Sequence, residues 1–582
     1  MTESWDSSNS SNSSSSSNSS SSANRSSRFE LSPMPADLAA RYLAEGWWDD
    51  RTLGQLLGDA LNEDPDRRFR IWSPTNPYVG TVGAVYNEAL KVAGGLRDAG
   101  LGPGDLVAFQ LPNWVEAAIT FYACTIVGVT LVPIVHFYGP KEVGFILRQS
   151  GARALVTVSS YGKRDFLAEL ASIRDGLSDL EMVFVIGDTG DTGDTGDTGD
   201  TGGGGGGGTP DLLPFDELRA AEPMAGPVAV DPETPAVIGY TSGTTADPKG
   251  VVHTHRTLGC EVRQLSGHQA SRDRASLVGA PVGHAIGMLG GLLCPLVGGK
   301  AIYMIDGWDP PTVLNAMIEE GISAGSGSTY FFTSLLDCPG FGPEHAELMR
   351  FTGLGGSPIP DAVADRADDL GISLVRAYGS TEHPSITGSD HEAPREKRLH
   401  TDGRPMDGVE IRTVDEDGND VGIGEPGEIL SRGPDRFAGY TDPALTDEFV
   451  EEGGWFHTGD VGIIDADGYL TITDRLKDII IRGGENVSAA EVEQLLAHMK
   501  GVAEVAVVAA PDERFGEHGC AFFRMQEGID APDLEAVRAH LSEAGLARQK
   551  WPEELRVVDV LPRTPSGKIQ KFVLRQQLRA GG

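Results

Sequence analysis

Short apolar segments typical of strands alternate with helix-like segments over residues 37–185, and this alternation constrains the fold most. Strands are predicted over 105–110, 131–135 and 154–158, and helices from Glu116 onward and over 142–149. Successive strands joined by helices pair in parallel, with the helices packed on both faces of the sheet. The N-terminal part of the chain is therefore predicted to be α/β with a mostly parallel sheet.

A second pattern begins near Asp474, where strands are predicted over 479–482, 502–509 and 555–558 and helices over 489–499 and 532–544. About a hundred residues of this kind form a small α+β domain. The chain has 582 residues, of which 40% are hydrophobic, so it is long enough for more than one core.

Two polar regions are predicted to stay outside any core. Residues 7–27 are nearly all Ser and Asn, and the predicted disordered tail covers 1–34. A Gly-Asp-Thr repeat followed by seven glycines is predicted to be a disordered surface insertion over 187–209. Calcium binding by the aspartates of the repeat is the alternative, although the spacing of known calcium repeats is missing.

Charge and cysteine content favour a cytoplasmic protein that binds no nucleic acid. The formal net charge is −38, whereas nucleic acid and anionic membranes attract basic surfaces. The five cysteines are scattered, which indicates neither a disulfide framework nor a zinc site. The uncharged run 117–135 resembles a membrane span, but Gly128 and Pro133 interrupt it and favour a buried helix followed by a buried strand.

The segment from Tyr240 to Gly250 (YTSGTTADPKG) follows an apolar strand predicted over 236–239. Its glycines allow close backbone approach to a ligand, its hydroxyls donate to phosphate oxygens, and Lys249 supplies positive charge. It does not match the Walker motif. A phosphate-binding loop is the interpretation, and a polar turn between strands is the alternative.

Four further segments carry chemically suitable residues. Thr381 and Glu382 follow a strand predicted over 373–376, where a carboxylate beside a hydroxyl suits Mg²⁺. Asp460 follows what is predicted to be a tight turn, where it can accept hydrogen bonds from ribose. The last two segments contain Asp474-Arg475-Leu476-Lys477-Asp478 and Lys568. Each has a structural alternative: a capped helix, a backbone-capping Asp, a charged linker or a solvated loop lysine.

Together, in this order, the five segments resemble those of the adenylate-forming superfamily of acyl-CoA synthetases, firefly luciferases and peptide-synthetase adenylation domains. The resemblance extends from about residue 37 to 578, apart from the glycine-rich repeat. It implies a large multi-sheet α/β AMP-binding domain over 35–475 and a small mobile α+β domain over 476–582 that swivels over it. It also implies ATP, Mg²⁺ and CoA as substrates or co-substrates.

The resemblance assigns roles to individual residues of this chain. Catalytic roles fall on Lys568, which bridges the substrate carboxylate and the α-phosphate, on Thr381 at the α-phosphate, on the Mg²⁺ ligand Glu382, and on the hinge residue Lys477. The nucleotide and CoA contacts fall on Thr241, Ser242, Gly243, Thr244, Thr245, Lys249, Gly355, Gly356, Ser357, Tyr378, Asp460, Arg475, Gly483 and Gly484. Tyr378 is expected to stack on adenine, whereas His284 and Gly379 are expected at the acyl pocket.

The resulting hypothesis is an acyl-CoA synthetase that forms an acyl-adenylate and then a CoA thioester. The alternatives are an adenylating enzyme that loads a carrier protein, and a nucleotide- or acyl-binding protein without activity. The aromatic residues Tyr330, Phe331 and Phe332 favour a monocarboxylic acid with an apolar body. Within the superfamily, the sequence is most similar to cyclohexanecarboxylate and fatty acyl-CoA ligases.

Overall fold

The computed structural model describes residues 28–188, 211–241, 248–268, 274–482, 485–512, 516–564 and 567–580. Within these ranges the strands are β1 (Arg68–Trp72), β2 (Tyr78–Thr81), β3 (Leu106–Leu111), β4 (Thr130–Val135), β5 (Ala154–Val158), β6 (Ser160–Tyr161), β7 (Arg164–Asp165), β8 (Met182–Ile186), β9 (Asp211–Pro214), β10 (Pro235–Thr241), β11 (Lys249–Thr254), β12 (Ser276–Val278), β13 (Ile302–Ile305), β14 (Ser323–Ala324), β15 (Phe351–Gly355), β16 (Ser373–Tyr378), β17 (Thr387–Gly388), β18 (Arg404–Pro405), β19 (Glu410–Val414), β20 (Pro426–Arg432), β21 (Gly439–Tyr440), β22 (Phe456–Ile464), β23 (Leu470–Arg475), β24 (Ile480–Arg482), β25 (Glu485–Val487), β26 (Val502–Asp512), β27 (Gly516–Met525) and β28 (Glu554–Val557).

The helices of the same ranges are α1 (Ala36–Ala44), α2 (Leu53–Glu63), α3 (Val82–Asp98), α4 (Val115–Val127), α5 (Pro140–Ser150), α6 (Phe166–Ala171), α7 (Phe215–Arg219), α8 (His255–Gly267), α9 (Ala285–Gly287), α10 (Cys294–Val297), α11 (Pro310–Glu320), α12 (Thr329–Leu336), α13 (Pro343–Leu348), α14 (Asp361–Asp369), α15 (Arg395–His400), α16 (Pro443–Phe449), α17 (Ala489–Ala497), α18 (Leu534–Glu543) and α19 (Lys571–Ala580). A π-helical segment, Met288–Leu293, joins α9 to α10, and 3₁₀ turns lie at Arg174–Gly176, Leu476–Asp478 and Arg548–Lys550.

Two largely parallel sheets share one apolar core. The first has the order β21-β11-β10-β4-β3-β5-β8-β9, and the second has the order β14-β12-β13-β1-β2. In the first sheet, β10 to β9 are parallel, while β11 and β21 pair antiparallel. Apolar side chains of both sheets and of α2, α3 and α4 belong to the same buried cluster. The predicted parallel α/β pattern is confirmed.

The uncharged run 117–135 forms most of α4 and then β4, and every residue of these two elements is buried. Gly128 ends α4 in the left-handed conformation, with φ of 78°, which a residue without Cβ adopts at little cost. The run is therefore a core helix and a core strand. Among the residues described, no helix is long and apolar enough to cross a bilayer.

The region between β15 and β23 forms two smaller sheets, with orders β15-β16-β17-β18 and β19-β20-β22-β23. The second of these is antiparallel throughout. The sequence patterns predict only β16 of this region, because its strands are short or strongly polar. Asp460 lies within β22, directly opposite Arg475 of β23, so its predicted position after a tight turn is wrong.

The last sheet has the order β25-β24-β27-β26, with β28 parallel to β27. Helices α17 and α18 pack with one apolar cluster of this sheet and α19 with another. Its strands and helices match the predicted small α+β domain, except that β25, β27 and α19 were not predicted. The large multi-sheet part and this smaller unit confirm the predicted fold class. Our proposed domain division falls in the connection between β23 and β24, and the mobility of the smaller domain stays a prediction.

Residues 28–48, here called the N-terminal segment, pack on the folded protein. Arg28 forms an ion pair with Asp179 at 3.1 Å, and the backbone N–H of Ser32 donates to the carbonyl oxygen of Ala438 at 2.7 Å. The indole Nε1 of Trp48 donates to the carbonyl oxygen of Pro434 at 2.7 Å. Residues 28–34 therefore do not belong to a disordered tail. Residues 1–27 and nearly all of the predicted insertion, 189–209, lie outside the described ranges.

Candidate active site

The predicted phosphate loop connects two antiparallel strands of the largest sheet. Thr241 ends β10 and pairs across the hairpin with Lys249, the first residue of β11. The Lys249 ammonium lies 4.0 Å from the ring centroid of Phe449 and 5.4 Å from that of Tyr440. The aromatic faces hold this cation at the base of the loop. Ser242, Gly243, Thr244 and Thr245 lie outside the described residues.

The Thr381–Glu382 segment lies beside this hairpin, and contacts to its own backbone carbonyl oxygens hold it in place. Thr381 Cγ2 lies 3.1 Å from the position that a Cβ of Gly239 would take, which places the segment against β10. His253 Nε2 is 2.7 Å from the carbonyl oxygen of Thr381, and the carbonyl oxygen of Glu382 accepts from Phe437 N–H at 2.7 Å. The Tyr440 hydroxyl donates to Glu382 Oε1 at 2.8 Å.

Gly379 makes the turn after β16 possible. A Cβ at this position would lie only 1.9 Å from the carbonyl oxygen of Pro384, so no larger residue fits without moving the backbone. Gly355, at the end of the adjacent β15, has a similar contact at 2.7 Å with the carbonyl oxygen of Ala377. These close contacts keep the ends of β15 and β16 together at one edge of the site.

A carboxylate, a phenol and a guanidinium from β22, β16 and β23 form a hydrogen-bonded group. The Tyr378 hydroxyl donates to Asp460 Oδ2 at 2.7 Å, and Arg475 Nε lies 2.8 Å from Asp460 Oδ1. Burial and the adjacent Asp460 charge raise the pKa of Tyr378 well above its usual range. Tyr378 therefore stays a neutral hydrogen-bond donor.

Lys568, from the C-terminal unit, reaches this group of residues. Its backbone N–H donates to Thr564 Oγ1 at 3.0 Å, and Thr564 N–H donates to its carbonyl oxygen at 2.6 Å, which closes a tight loop. Partial burial and then the charge of Arg475 lower the pKa of Lys568 to about 8, while Asp460 and Glu382 act in the opposite direction. The Lys568 ammonium is therefore in the electrostatic neighbourhood of Asp460, Glu382 and Arg475.

Lys477 lies in the 3₁₀ turn Leu476–Asp478, directly after β23. The adjacent Asp478 forms an ion pair with Arg575 of α19 at 2.7 Å, which ties this connection to the C-terminal helix. Desolvation by the surrounding protein and then the charge of Arg475 lower the pKa of Lys477 to about 8, although Lys477 is an exposed residue. Gly483 and Gly484 lie outside the described residues.

His284, Gly356 and Ser357 lie around the predicted acyl pocket. Ile286 Cδ1 lies 2.9 Å from the position of a Cβ at Gly356, and its Cγ2 lies 3.5 Å from that at Gly327. Ser357 Oγ is 3.4 Å from the Thr329 hydroxyl at the start of α12. Burial, reinforced by the charge of Lys568, lowers the pKa of His284 to about 4, so this side chain is neutral near pH 7. The interaction also places His284 near Lys568.

Within the described ranges, no group of three or more His, Cys, Asp and Glu side chains is arranged to hold a metal ion. Glu382 offers a single carboxylate at the proposed magnesium position. That donor set fits Mg²⁺ brought in by a nucleotide, since such an ion takes most of its ligands from phosphates and water.

Several residues of the site carry no predicted role. Tyr440, Phe449 and His253 contact Glu382, Lys249 and Thr381, respectively. Tyr440 and His253 lie in β21 and β11, which pair although they are far apart in the chain, and Phe449 ends helix α16. An aromatic residue or a histidine in such a strand or helix is equally typical of a core, so no local sequence signal distinguishes them.

Comparison with known proteins agrees with this arrangement. Residues 58–441 match the family described as AMP-binding enzyme, and residues 491–568 match the AMP-binding enzyme C-terminal domain. The medium-chain fatty-acid–CoA ligase of Escherichia coli (strain K12) is 31% identical over 542 residues, which cover 93% of this chain and 92% of the relative.

A second relative, from Rhodococcus jostii (strain RHA1), is 34% identical and covers 85% of this chain and 93% of its own length. It is a 3-[(3aS,4S,7aS)-7a-methyl-1,5-dioxo-octahydro-1H-inden-4-yl]propanoyl:CoA ligase. The crystal structure of ATP-bound MatB from Rhodopseudomonas palustris superposes with a TM-score of 0.77 at 26% identity, covering 90% of this chain and 99% of MatB. The chain therefore belongs to the AMP-binding enzyme family, in its acyl-CoA synthetase branch.

Proposed function

We propose that this acyl-CoA synthetase acts on a monocarboxylic acid with an apolar body, such as a medium-chain, alicyclic or aromatic acid. The enzyme uses ATP and Mg²⁺ to activate a carboxylic acid and transfers the acyl group to CoA. The identity of the acid and the roles of individual residues are our proposal.

The position of Lys568 carries the assignment of residue roles. Its ammonium comes from the C-terminal unit, yet its pKa responds to Arg475, Asp460 and Glu382 of the larger unit. In our proposal the Lys568 ammonium therefore acts beside Asp460 and Arg475, which hold ribose, and Glu382, which holds Mg²⁺. The arrangement suits the adenylation step.

Adenylation joins two anions, because a carboxylate oxygen attacks the α-phosphorus of ATP while pyrophosphate leaves. In our proposal Lys568 neutralises part of this charge and holds the two groups in line, and Glu382 binds the Mg²⁺ that accompanies the phosphates. Thr381 donates to the α-phosphate. Thr241 and Lys249 contribute to the phosphate loop, together with Ser242, Gly243, Thr244 and Thr245.

Asp460, Arg475 and Tyr378 hold the nucleoside. Asp460 accepts hydrogen bonds from the ribose hydroxyls, and Arg475 fixes the Asp460 carboxylate. Tyr378 stacks on adenine, and its hydroxyl keeps the second carboxylate oxygen in place. Gly355, Gly356 and Ser357 line the space between adenine and the acyl group, next to Gly379.

Thioester formation requires a second arrangement. The CoA sulfur attacks the acyl carbonyl and AMP leaves, so the thiol must reach the position that Lys568 occupies during adenylation. We propose a rotation of residues 476–582 about Lys477, which withdraws Lys568 and brings Gly483 and Gly484 to the pantetheine channel.

The preference for an apolar acid is supported by the surroundings of His284. Ile286 separates Gly327 from Gly356, and the Trp308 and Phe331 rings pack at 4.7 Å just beyond them. The names of the two relatives describe a fatty acid and a bicyclic propanoyl group, which both have apolar bodies.

The free cysteines of the described residues support a cytoplasmic location, which is part of the proposal.

The test is pyrophosphate release by the purified protein with ATP and Mg²⁺ over a panel of carboxylic acids, with and without CoA. We expect sustained release with an apolar monocarboxylic acid only when CoA is present. Sustained release with a dicarboxylic or amino acid instead would overturn the proposed acid class. A single burst that CoA does not prolong would point to a carrier protein as the acceptor.

A further inference from the structure

A cluster of buried titratable side chains lies directly behind Glu382. It consists of Glu261 of α8, His383 and Asp435, here called the buried acid cluster, and all three side chains are fully inaccessible to solvent. Ionisable groups are rarely buried without partners, because desolvating a charge is costly. The roles proposed above use none of these three residues.

His383 connects the cluster to the site because it follows Glu382 in the chain. Its Nε2 lies 3.2 Å from Asp435 Oδ1, and its Nδ1 lies 2.9 Å from the Ser431 hydroxyl. Both ring nitrogens are therefore hydrogen-bonded, which fixes the orientation of the ring. A Cβ at Gly433 would lie 2.9 Å from His383 Nε2, so the backbone itself packs against the ring.

Glu261 backs Asp435. The Glu261 Oε1 accepts from the Ser385 hydroxyl at 2.9 Å, whereas Glu261 Oε2 and Asp435 Oδ2 are buried and have no described hydrogen-bond partner. Burial and the charge of Asp435 raise the pKa of Glu261 well above its usual range. The neutral form of Glu261 is therefore favoured, and in this form its carboxyl group can donate to Asp435.

The cluster reaches Glu382 through the backbone as well. Asp435 lies two residues before Phe437, whose N–H donates to the Glu382 carbonyl oxygen at 2.7 Å. The segment 433–437 thus holds Glu382 through Phe437 and holds the next residue, His383, through Asp435. Together with the contact of His253 to the carbonyl oxygen of Thr381, these bonds leave the Thr381–His383 backbone little freedom.

We propose that Asp435, His383 and Glu261 are positioning residues that fix the Thr381–Glu382 backbone and thereby aim the Glu382 carboxylate at the Mg²⁺ of MgATP. The proposal rests on the proposed function of Glu382. A buried charged network is weak as a source of stability, because apolar residues of similar volume are often at least as stabilising. Precise placement of a metal-binding carboxylate is the use that this arrangement serves.

The test compares equilibrium ATP binding with Mg²⁺ and with EDTA, by calorimetry, so that no acid or CoA is needed. We expect Asp435→Asn to weaken binding of MgATP about tenfold or more, the scale of a lost hydrogen bond to a charged group, while metal-free ATP binds nearly as in the wild type. Glu261→Ala should act in the same direction. Glu261→Gln should restore binding, because its amide donates to Asp435 and accepts from Ser385.

Asp306→Asn is the matched control. Asp306 is also a buried carboxylate, and it accepts from Ser73 and from the Trp114 indole at 3.0 Å, remote from Glu382 in the hydrogen-bond network. The Asp306→Asn substitution should lower the melting temperature without changing the ratio of the affinities for Mg²⁺-bound and metal-free ATP. If Asp435→Asn fails to fold, Ser431→Ala removes only the second bond of His383 and should give a smaller loss of the same kind.

The proposal would be overturned if the folded cluster variants weakened binding of metal-free and Mg²⁺-bound ATP equally, or if they weakened neither. A wild-type protein whose ATP affinity is unaffected by Mg²⁺ would also overturn it. If the wild-type protein binds MgATP but turns over none of the acids, only the proposed acid class fails. The comparison of ATP binding with Mg²⁺ and with EDTA still tests the role of the buried acid cluster.

Discussion

Asp460 and Arg475 lie opposite each other on adjacent antiparallel strands, with Arg475 Nε 2.8 Å from Asp460 Oδ1. The Tyr378 hydroxyl donates to the other carboxylate oxygen, Asp460 Oδ2, at 2.7 Å, so both oxygens have a fixed partner. Arg475 is also the last residue before the 3₁₀ turn that leads to the C-terminal sheet. The proposed ribose site therefore ends where the proposed hinge begins.

Replacing Asp460 by Asn should impair nucleotide binding. Asn keeps the shape but loses the charge that pairs with Arg475 and accepts from ribose, so KM for ATP should rise about ten- to a hundredfold, the range for hydrogen bonds to charged groups. Initial rates over a series of ATP concentrations measure this. Tyr378→Phe, which keeps the ring, is the control and should show a smaller rise. An unchanged KM for ATP in Asp460→Asn would refute the ribose role.

Lys568→Ala should separate the two half-reactions. Loss of a cation that acts on developing charge costs about two to three orders of magnitude in rate, so acid-dependent pyrophosphate exchange should fall by that factor. Thioester formation from a supplied acyl-adenylate should be largely retained. Lys550→Ala, which removes a lysine paired with Glu491 at the surface, is the control. Equal loss of both half-reactions would contradict the role given to Lys568.

Lys477→Pro should have the opposite effect to Lys568→Ala, because it should impair thioester formation rather than adenylation. Proline fixes φ and removes the backbone N–H, so it restricts the connection about which we propose the rotation. Adenylation should be retained, and thioester formation should be abolished in single-turnover assays with CoA. Lys477→Ala removes the charge but not the backbone freedom, and it should retain both steps. A proline variant that still forms thioester at the normal rate would exclude a hinge at this position.

The adenylation rate should decline at alkaline pH. The pKa of Lys568 is lowered from its usual value to about 8 in the free enzyme, so the ammonium is present below that pH and is lost as pH rises through it. We expect kcat/KM for ATP in pyrophosphate exchange to fall above about pH 8, and kcat to fall at higher pH because bound phosphates favour the ammonium.

The variants Lys568→Arg and Lys477→Ala identify the titrating group. Arginine stays charged, so Lys568→Arg should lose the alkaline decline even though it is slower. Lys477 also has a pKa of about 8, but Lys477→Ala should retain the decline. The reverse pattern would assign the decline to Lys477.

Ile286→Ala should widen the acyl pocket. Ile286 lies between Gly327 and Gly356, and shortening it opens space beside both glycines. The ratio of kcat/KM for a bulky over a small acid should rise about ten- to a hundredfold, given the value of one to three kcal/mol for small changes in an apolar pocket. Competition assays between two acids measure this ratio directly. An unchanged ratio would place Ile286 outside the acyl pocket.

The sequence predicts much of the scaffold and of the residues at the site. Segments whose character is local, such as the strand Ala154–Val158 or the strand predicted over 236–239, are found where they are predicted. The five motif segments also meet: Lys568 is close to Asp460 and Glu382 although more than a hundred residues separate it from either. The chemical roles assigned to these residues remain predictions.

The elements that escaped prediction depend on distant partners. Strand β27 begins with Gly516-Glu517-His518-Gly519, a polar stretch that becomes a strand because it pairs with the end of β26 and, at Gly516, with β24. The hydrogen bond between Ser385 and Glu261 joins residues 124 positions apart. Such pairings follow from topology, which a local pattern of residue types does not contain.

The contacts of the N-terminal segment also have a consequence during synthesis. Trp48 donates its hydrogen bond to Pro434, a residue 386 positions later, and with Leu38 and Tyr42 it buries Cys260, the neighbour of Glu261. At about 5–20 residues per second, roughly 20 to 80 s separate their emergence from the ribosome. During this interval two tryptophans and a tyrosine of the nascent chain lack their partners, so their apolar surface stays exposed to water.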